Sequence, residues 1–349
     1  MAGSAIPLSR WVEFECNGLP VKLSFVIISA MTNRKVYPIP AALNLVILSL
    51  QVISFFGLLW ATSLAIHLWQ IAALFVSFAI LGNSIYSIIH EAEHGMLYPD
   101  RGINDLLGAL MAVFFPAPFH LIRQGHLGHH RRNRTDNEAF DHYFDGDRQW
   151  LKWLILYGIL TGAYWILVVM SNVAVLVVPF LFKRRFFEFD RPSAAFMDAL
   201  NPRYFWLIQV EAVVTIAFHA TMIWAFQIPF WRYALVYFGF GYSWSAMQYV
   251  HHFGTERDVL NGARNLRFFE WIDCVWLHHN WHLLHHQRPN IPWIYLPLLS
   301  ANQSTSRESL VWHYFRMWRG PRYSTIRVAE SHPDQPLIQT ISKVDSGDV

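Results

Sequence analysis

Three short stretches concentrate the residues able to do chemistry: His90-Glu91-Ala92-Glu93-His94, His126-Leu127-Gly128-His129-His130 and Asn280-Trp281-His282-Leu283-Leu284-His285-His286. A further pair, His251-His252, stands between the second and third, and 12 of the 18 histidines lie in or immediately beside these clusters. Side chains at i and i+4 of a helix sit one turn apart on the same face, about 5–6 Å between Cβ atoms. His90 and His94 have that spacing, as do His126 and His130, and His282 and His286. The three boxes alone supply eight imidazoles. A zinc ion takes about four ligands and an octahedral ion about six. An ion that must also bind a reactant needs an open position, so the count suits two metal ions better than one. Imidazole serves zinc, copper, iron and nickel alike, and ligand type leaves the metal undecided.

Two rival readings use the same residues. His90-Glu91-x-x-His94 fits the zinc-protease pattern, with two histidines on zinc and the glutamate as general base. A catalytic zinc of that kind needs only one further protein ligand, which leaves most of the other histidines without work. A metal transporter is a third class. Its ligands belong near the bilayer midplane, within broken helices, whereas these stand at the ends of apolar runs or beyond them.

The elements that must position the boxes are apolar. Of 349 residues 54% are hydrophobic and 15% charged, against roughly 25% charged in soluble domains. No Asp, Glu, Lys or Arg occurs from Val36 to His90. A membrane-crossing helix needs about 20 mostly apolar residues, so this run holds two spans, Ala41 to about Ile66 and Leu68 to Ile89. The first box begins as the second span ends. Ile103 to Phe119 is apolar but short and carries Pro116 and Pro118, which predicts a re-entrant or interfacial helix leading into the second box. Trp153 to Phe182 is uncharged and ends at Lys183-Arg184-Arg185. The positive-inside rule favours a broken hairpin in one leaflet over a single crossing. Trp206 to Pro229 and Trp231 to Val250 form a second pair of spans. Within it Glu211 reads as a headgroup-level acid and His219 as a polar contact between helices.

The expected architecture is therefore an all-α integral membrane protein. It has about four transmembrane helices in two hairpins, with re-entrant and interfacial helices, among them Phe268 to Leu277. Residues 1–35 read as a cytoplasmic segment, 36–300 as the membrane domain and 301–349 as a polar cytoplasmic tail. Counting spans from a basic, cytoplasmic start collects every histidine cluster on the inner face. Cys16 and Cys274 form no framework and read as unpaired thiols. The net charge of +3 is too small to argue for nucleic acid.

The order H-x-x-x-H, H-x-x-H-H, H-x-x-H-H resembles the membrane fatty acid desaturase and hydroxylase superfamily, over roughly Leu50 to Ser300. The third box with Pro292-Trp293 and Leu296-Pro297 is similar to the bacterial branch, which implies a bacterial inner membrane with the site facing the cytoplasm. The resemblance implies a histidine-rich di-iron site beneath the helices, with oxygen as co-substrate and a fatty acyl chain as substrate. Gln248 to Gly254 also resembles the N-Y-x-E-H-Y-G element of alkane hydroxylases, with Gln248 in place of Asn and His251 in place of Glu. Carried over, the iron ligands are His90, His94, His126, His129, His130, His252, His282, His285 and His286. His251, His278 and Gln248 are further candidates, and Glu91, Glu93, Asp136 and Glu138 are acids able to orient the imidazoles. Desaturation, hydroxylation of alkanes or fatty acids, decarboxylation to a terminal alkene and carotenoid oxygenation all occur in the superfamily; the commonest is fatty acyl desaturation. No Cys-rich cluster or dinucleotide glycine pattern follows a strand, which predicts a separate electron donor of ferredoxin, rubredoxin or cytochrome type with its reductase.

Overall fold

The computed structural model describes residues 9–16, 19–26, 37–300 and 306–329. Most of segment 1–35 and of the tail after residue 329 lies outside them. Two strands, β1 (Ser9–Cys16) and β2 (Leu19–Val26), pair antiparallel with Ser9 opposite Val26. With two short parallel pairings elsewhere, at His142-Tyr143 and Leu266-Arg267, they qualify the all-helical expectation. The remainder is mostly helix.

Helices α1 (Ala41–Leu64) and α2 (Leu68–Glu93) are the first hairpin. Leu50, Ile53 and Trp60 of α1 are exposed, as suits a lipid-facing helix. Its Asn44, Gln51 and Thr62 turn inward. Asn44 Nδ2 donates to the carbonyls of Met96 and Leu97, and Gln51 Nε2 donates to that of Ser84. α2 does not stop at Ile89 but runs through the first box to Glu93, which holds His90 on regular helix and His94 at its cap.

α3 (Arg101–Ala112) starts at Asp100, whose side chain accepts the Ile103 N–H. Asn104 braces the end of α2 by donating to the Ala92 carbonyl at 2.9 Å. As the two prolines predict, the chain breaks after α3 and restarts as α4 (Phe119–Arg132), which carries the second box. Buried backbone carbonyls need partners. Three helices supply them to the break: His219 Nε2 reaches Val113 O at 2.9 Å, Tyr237 Oη reaches Phe114 O at 2.9 Å and Asn172 Nδ2 reaches Pro116 O at 2.8 Å. His219 is thus the interhelical contact expected. Glu211 has a protein partner. It accepts the His120 N–H at 3.0 Å and meets His120 Nδ1 at 2.6 Å, at the N-terminus of α4, where a carboxylate also favours the helix dipole.

α5 (Gln149–Thr161) and α6 (Ala163–Val177) meet at 91°. Run 153–182 is therefore bent, as a broken span or a re-entrant loop would be. The corner is Gly162, at φ +90°, where an added Cβ would lie 2.9 Å from the Phe238 ring. The short α7 (Arg191–Asp198) is capped by Asp190, which also pairs with the buried Lys152 at 2.8 Å.

α8 (Phe205–Ala225) and α9 (Phe230–Val250) form the second hairpin. α9 packs directly against α2. At Gly239 an added Cβ would lie 2.2 Å from the Phe75 carbonyl oxygen, and at Gly82 2.2 Å from the Phe240 ring. Among the described residues three segments are long and apolar enough to cross a membrane, α1, α2 and Pro202–Ala225, with the bent α5–α6 pair a fourth if it is one span. α9 is not among them, because Arg232, Gln248 and its serines dilute its apolar length and most of its side chains face protein. The short α10 (Glu270–Val275), α11 (His282–Gln287) and α12 (Leu296–Ser300) follow. Phe269 and Trp271 beside or on α10 are exposed, and Cys274 is disulfide-bonded rather than an idle thiol. The packed body continues past residue 300. α13 (Leu310–Met317) buries His313 and Met317, and Tyr314 Oη meets Tyr242 Oη of α9 at 2.5 Å.

Candidate metal centre

The ends of α2, α4, α9 and α11 converge, and they bring the nine expected histidines into two adjoining groups. His90, His94, His126, His130 and His285 form group one, and His129, His252, His282 and His286 form group two, with ring nitrogens in each within 4.8 Å of one another. Helical rotation explains the partition. On α4 the i,i+4 pair His126 and His130 faces group one, while His129, about 100° around the helix, faces group two. On α11 the assignment is reversed. His282 and His286 face group two, and His285 faces group one. The groups are close enough for the rings of His130 and His286 to lie 4.4 Å apart.

Nε2 atoms approach each other at 2.8 Å between His94 and His126, 3.1 Å between His126 and His130, and 2.9 Å between His130 and His285. In group two the spacings are 3.0 Å for His252 and His282, 3.2 Å for His282 and His286, and 3.2 Å for His129 and His286. Metal–imidazole bonds run about 2.0–2.1 Å, so neighbouring ligand atoms at right angles stand about 2.9 Å apart. The observed spacings fit. The far nitrogens are consistent with this in two cases. His129 Nδ1 meets Glu138 Oε1 at 3.1 Å, and His252 Nδ1 meets the Gly262 carbonyl at 2.9 Å. Both partners accept, so Nδ1 carries the proton and the Nε2 lone pair points into group two. In group one the buried His90 Nε2 has no hydrogen-bond partner among the described residues, an orphan that a metal would satisfy.

Burial first, and then the charge of neighbouring imidazoles, holds His94, His126, His130, His252, His282, His285 and His286 well below the usual histidine range. All seven are held neutral at pH 7. Glu138 is the reverse case. Burial would raise its carboxyl, but the His129 hydrogen bond and charge, with the Arg132 guanidinium, outweigh burial and keep it below its ordinary value.

The other candidates are placed around the groups. Glu91 Oε2 accepts the Trp293 N–H at 3.2 Å, with Oε1 3.9 Å from His90 Nδ1. Glu93 is buried 4.0 Å from His126 Nδ1. Asp136 turns away, to Arg257 at 2.6 Å and to the Val328 N–H. His251 belongs to neither group and meets Asn280 Oδ1 at 3.2 Å and the Met247 carbonyl at 3.3 Å. Gln248 donates to the Trp244 carbonyl one turn back on α9. His278 packs on Trp293, with ring centroids 5.7 Å apart, and burial pushes it down to about 4. Sequence reasoning passed over His279, whose ring lies 5.0 Å from that of His90 and 5.3 Å from that of His282. Its spacing of three from His282 was the available signal. A small cavity beside group one is lined by Ser87, Glu91, His279 and Trp293, among others.

A family model described as fatty acid desaturase matches residues 66–320. No curated protein matches the chain. The matched stretch is well over half of the 349 residues and holds α2, the second hairpin and all nine clustered histidines, and the chain belongs to the fatty acid desaturase family.

Proposed function

We propose that this membrane oxidoreductase is an oxygen-dependent di-iron desaturase of fatty acyl chains, with one iron held by group one and the other by group two. The observation that carries the reading is the pairing of two adjoining all-imidazole groups where the ends of α2, α4, α9 and α11 meet. A protease zinc would need three protein ligands, and His90 and His94 instead share group one with three further histidines. The family supports iron over the other metals that suit imidazole.

A bound iron pair supplies oxygen reduction and the removal of hydrogen from an unactivated C–H bond, which no side chain does unaided. The balance is one oxygen molecule, two electrons and two protons consumed for each new double bond and two waters. The chain's own residues do the rest. Glu138 and the Gly262 carbonyl fix the tautomers of His129 and His252. Tyr86 of α2, Trp244 of α9 and Phe115 in the break after α3 are buried beside the site and exclude water. The two electrons come from a separate small redox protein, which docks where Arg131, exposed beside the second box, is presented. The site faces the cytoplasm of a bacterial inner membrane.

Iron analysis of the purified chain and mass spectrometry of lipids from expressing cells test this. Two irons per chain and a new internal double bond are expected. A hydroxyl group or a volatile terminal alkene would reassign the outcome within the superfamily, and one zinc with peptide cleavage would overturn the reading.

A further inference from the structure

Of the nine clustered donors, His252 alone comes from outside the three boxes. It stands just past the end of α9, on backbone that no box controls. We propose that Arg134 is a positioning residue for group two: with Asp141 and Tyr249 it locks the segment carrying His252 onto the end of α4, so that the second metal ion depends on it and the first does not. The inference rests on the two-ion reading above.

Arg134 follows α4 directly, is fully buried and takes the left-handed φ of +61°. Its guanidinium serves both sides of His252. Nη1 donates to Tyr249 Oη at 2.6 Å and to Asp141 Oδ1, Nη2 donates to the Thr255 carbonyl at 3.0 Å and Nε to that of Glu256 at 3.3 Å. Asp141 closes the ring. Its Oδ2 accepts the Gly254 N–H at 2.7 Å and its Oδ1 accepts the Tyr249 hydroxyl at 2.6 Å. Tyr249 and Gly254 bracket His252. The loop beyond is held by the same stretch. Asn133 Nδ2 donates to the Val259 and Gly262 carbonyls at 3.0 and 3.3 Å, and the Arg134 stem lies against Gly262, where an added Cβ would be 2.3 Å from its Cγ. The Gly262 carbonyl is the one that fixes the His252 tautomer.

Only arginine offers five N–H donors in a rigid fork, and the four acceptors here approach from more than one direction, so lysine would not replace it. Group one has no share in this lock. Its donors sit on α2, α4 and α11, and none lies in segment 249–262.

The test uses the full chain in detergent micelles, with ferrous iron added anaerobically. Arg134→Gln leaves Asp141 buried and unpaired, and such a variant can fail for that reason alone. The double variant Arg134→Met with Asp141→Asn removes both charges and is measured beside it. The double variant is expected to keep its helical circular dichroism and to hold half the iron of the wild type, with one of two Mössbauer components lost. In metal-free protein, amide exchange across 249–262 should be at least about tenfold faster, with 86–94 unchanged. Wild-type iron loading in the double variant, equal loss of both components or unchanged exchange across 249–262 would each overturn the proposal. A wild type that binds no iron pair, with the exchange change still present, would count against the metal reading and leave the lock standing.

Discussion

In the proposed two-iron centre, replacing Glu138 by Gln should perturb one ion through a single contact. Glu138 Oε1 lies 3.1 Å from His129 Nδ1 and Oε2 lies 3.2 Å from Arg132 Nε. The amide keeps one acceptor for the His129 N–H but loses the charge, and it turns an NH2 group toward a guanidinium that also donates. His129 then keeps only a neutral, weaker acceptor, which raises its basicity less. Substitutions of this kind cost about 10–100-fold in metal affinity, which is about 1.4–2.7 kcal/mol. The cost should fall on the group-two ion alone, because His129 is the ligand affected and it belongs to group two. Titration of ferrous iron against a competing chelator reads it. The tighter-held equivalent should be unchanged and the other weakened within that range. Two unaltered affinities, or two that fall together, would refute the reasoning that Glu138 acts through His129.

Replacing His285 by Ala removes a group-one donor that lies 2.9 Å from His130 Nε2; product formation should disappear and iron content fall, as read by lipid mass spectrometry and metal analysis. Gly239→Ala should lower the melting temperature more than Gly82→Ala, since its Cβ meets the Phe75 backbone oxygen whereas that of Gly82 meets a ring that can turn; overpacking costs about 1–3 kcal/mol, and equal shifts would contradict this. Burial would raise the Asp141 carboxyl, but the Arg134 charge and the contacts with His142 and Arg134 outweigh it and hold it well below the usual range. A depressed carboxylate contributes stability that is present above its unfolded value of about 3.9 and is lost as pH falls toward the folded value. Asp141→Asn should therefore be less stable at pH 7 and lose less stability on acidification below about pH 4, which thermal melts across pH would show.

The metal centre was legible because its donors are one residue type at helical spacing. The i,i+4 rule put His90 with His94, His126 with His130, and His282 with His286 before any coordinates. It could not say that His129 and His285 cross to the other pair's group, since that depends on how α4 and α11 face each other. His252 was found through a resemblance and not through spacing, and its neighbour His251 is equally buried yet turned to Asn280. His279 was passed over although it stands three residues ahead of His282, a spacing that was there to be read. Backbone carbonyls such as that of Gly262 leave no trace in sequence at all.

The span pattern was readable for a different reason, and it misled for a related one. Hydropathy reports what faces lipid, so the strongly apolar α1, α2 and α8 were found. α9 was placed correctly as a helix, but it earns its buried position through Gly239, Gly241 and tyrosines that contact protein, and apolar length is a poor measure of that. Hydropathy is also silent on the partner of Glu211, whose carboxylate accepts the His120 N–H in the first turn of α4. The break between α3 and α4 makes that contact necessary. The break exposes carbonyls that lipid cannot satisfy, and His219, Tyr237 and Asn172 satisfy them from three other helices. With the break held there and His120 fixed by Glu211, α4 can enter the site at an angle no continuous span could reach, and its His126, His129 and His130 can serve both groups.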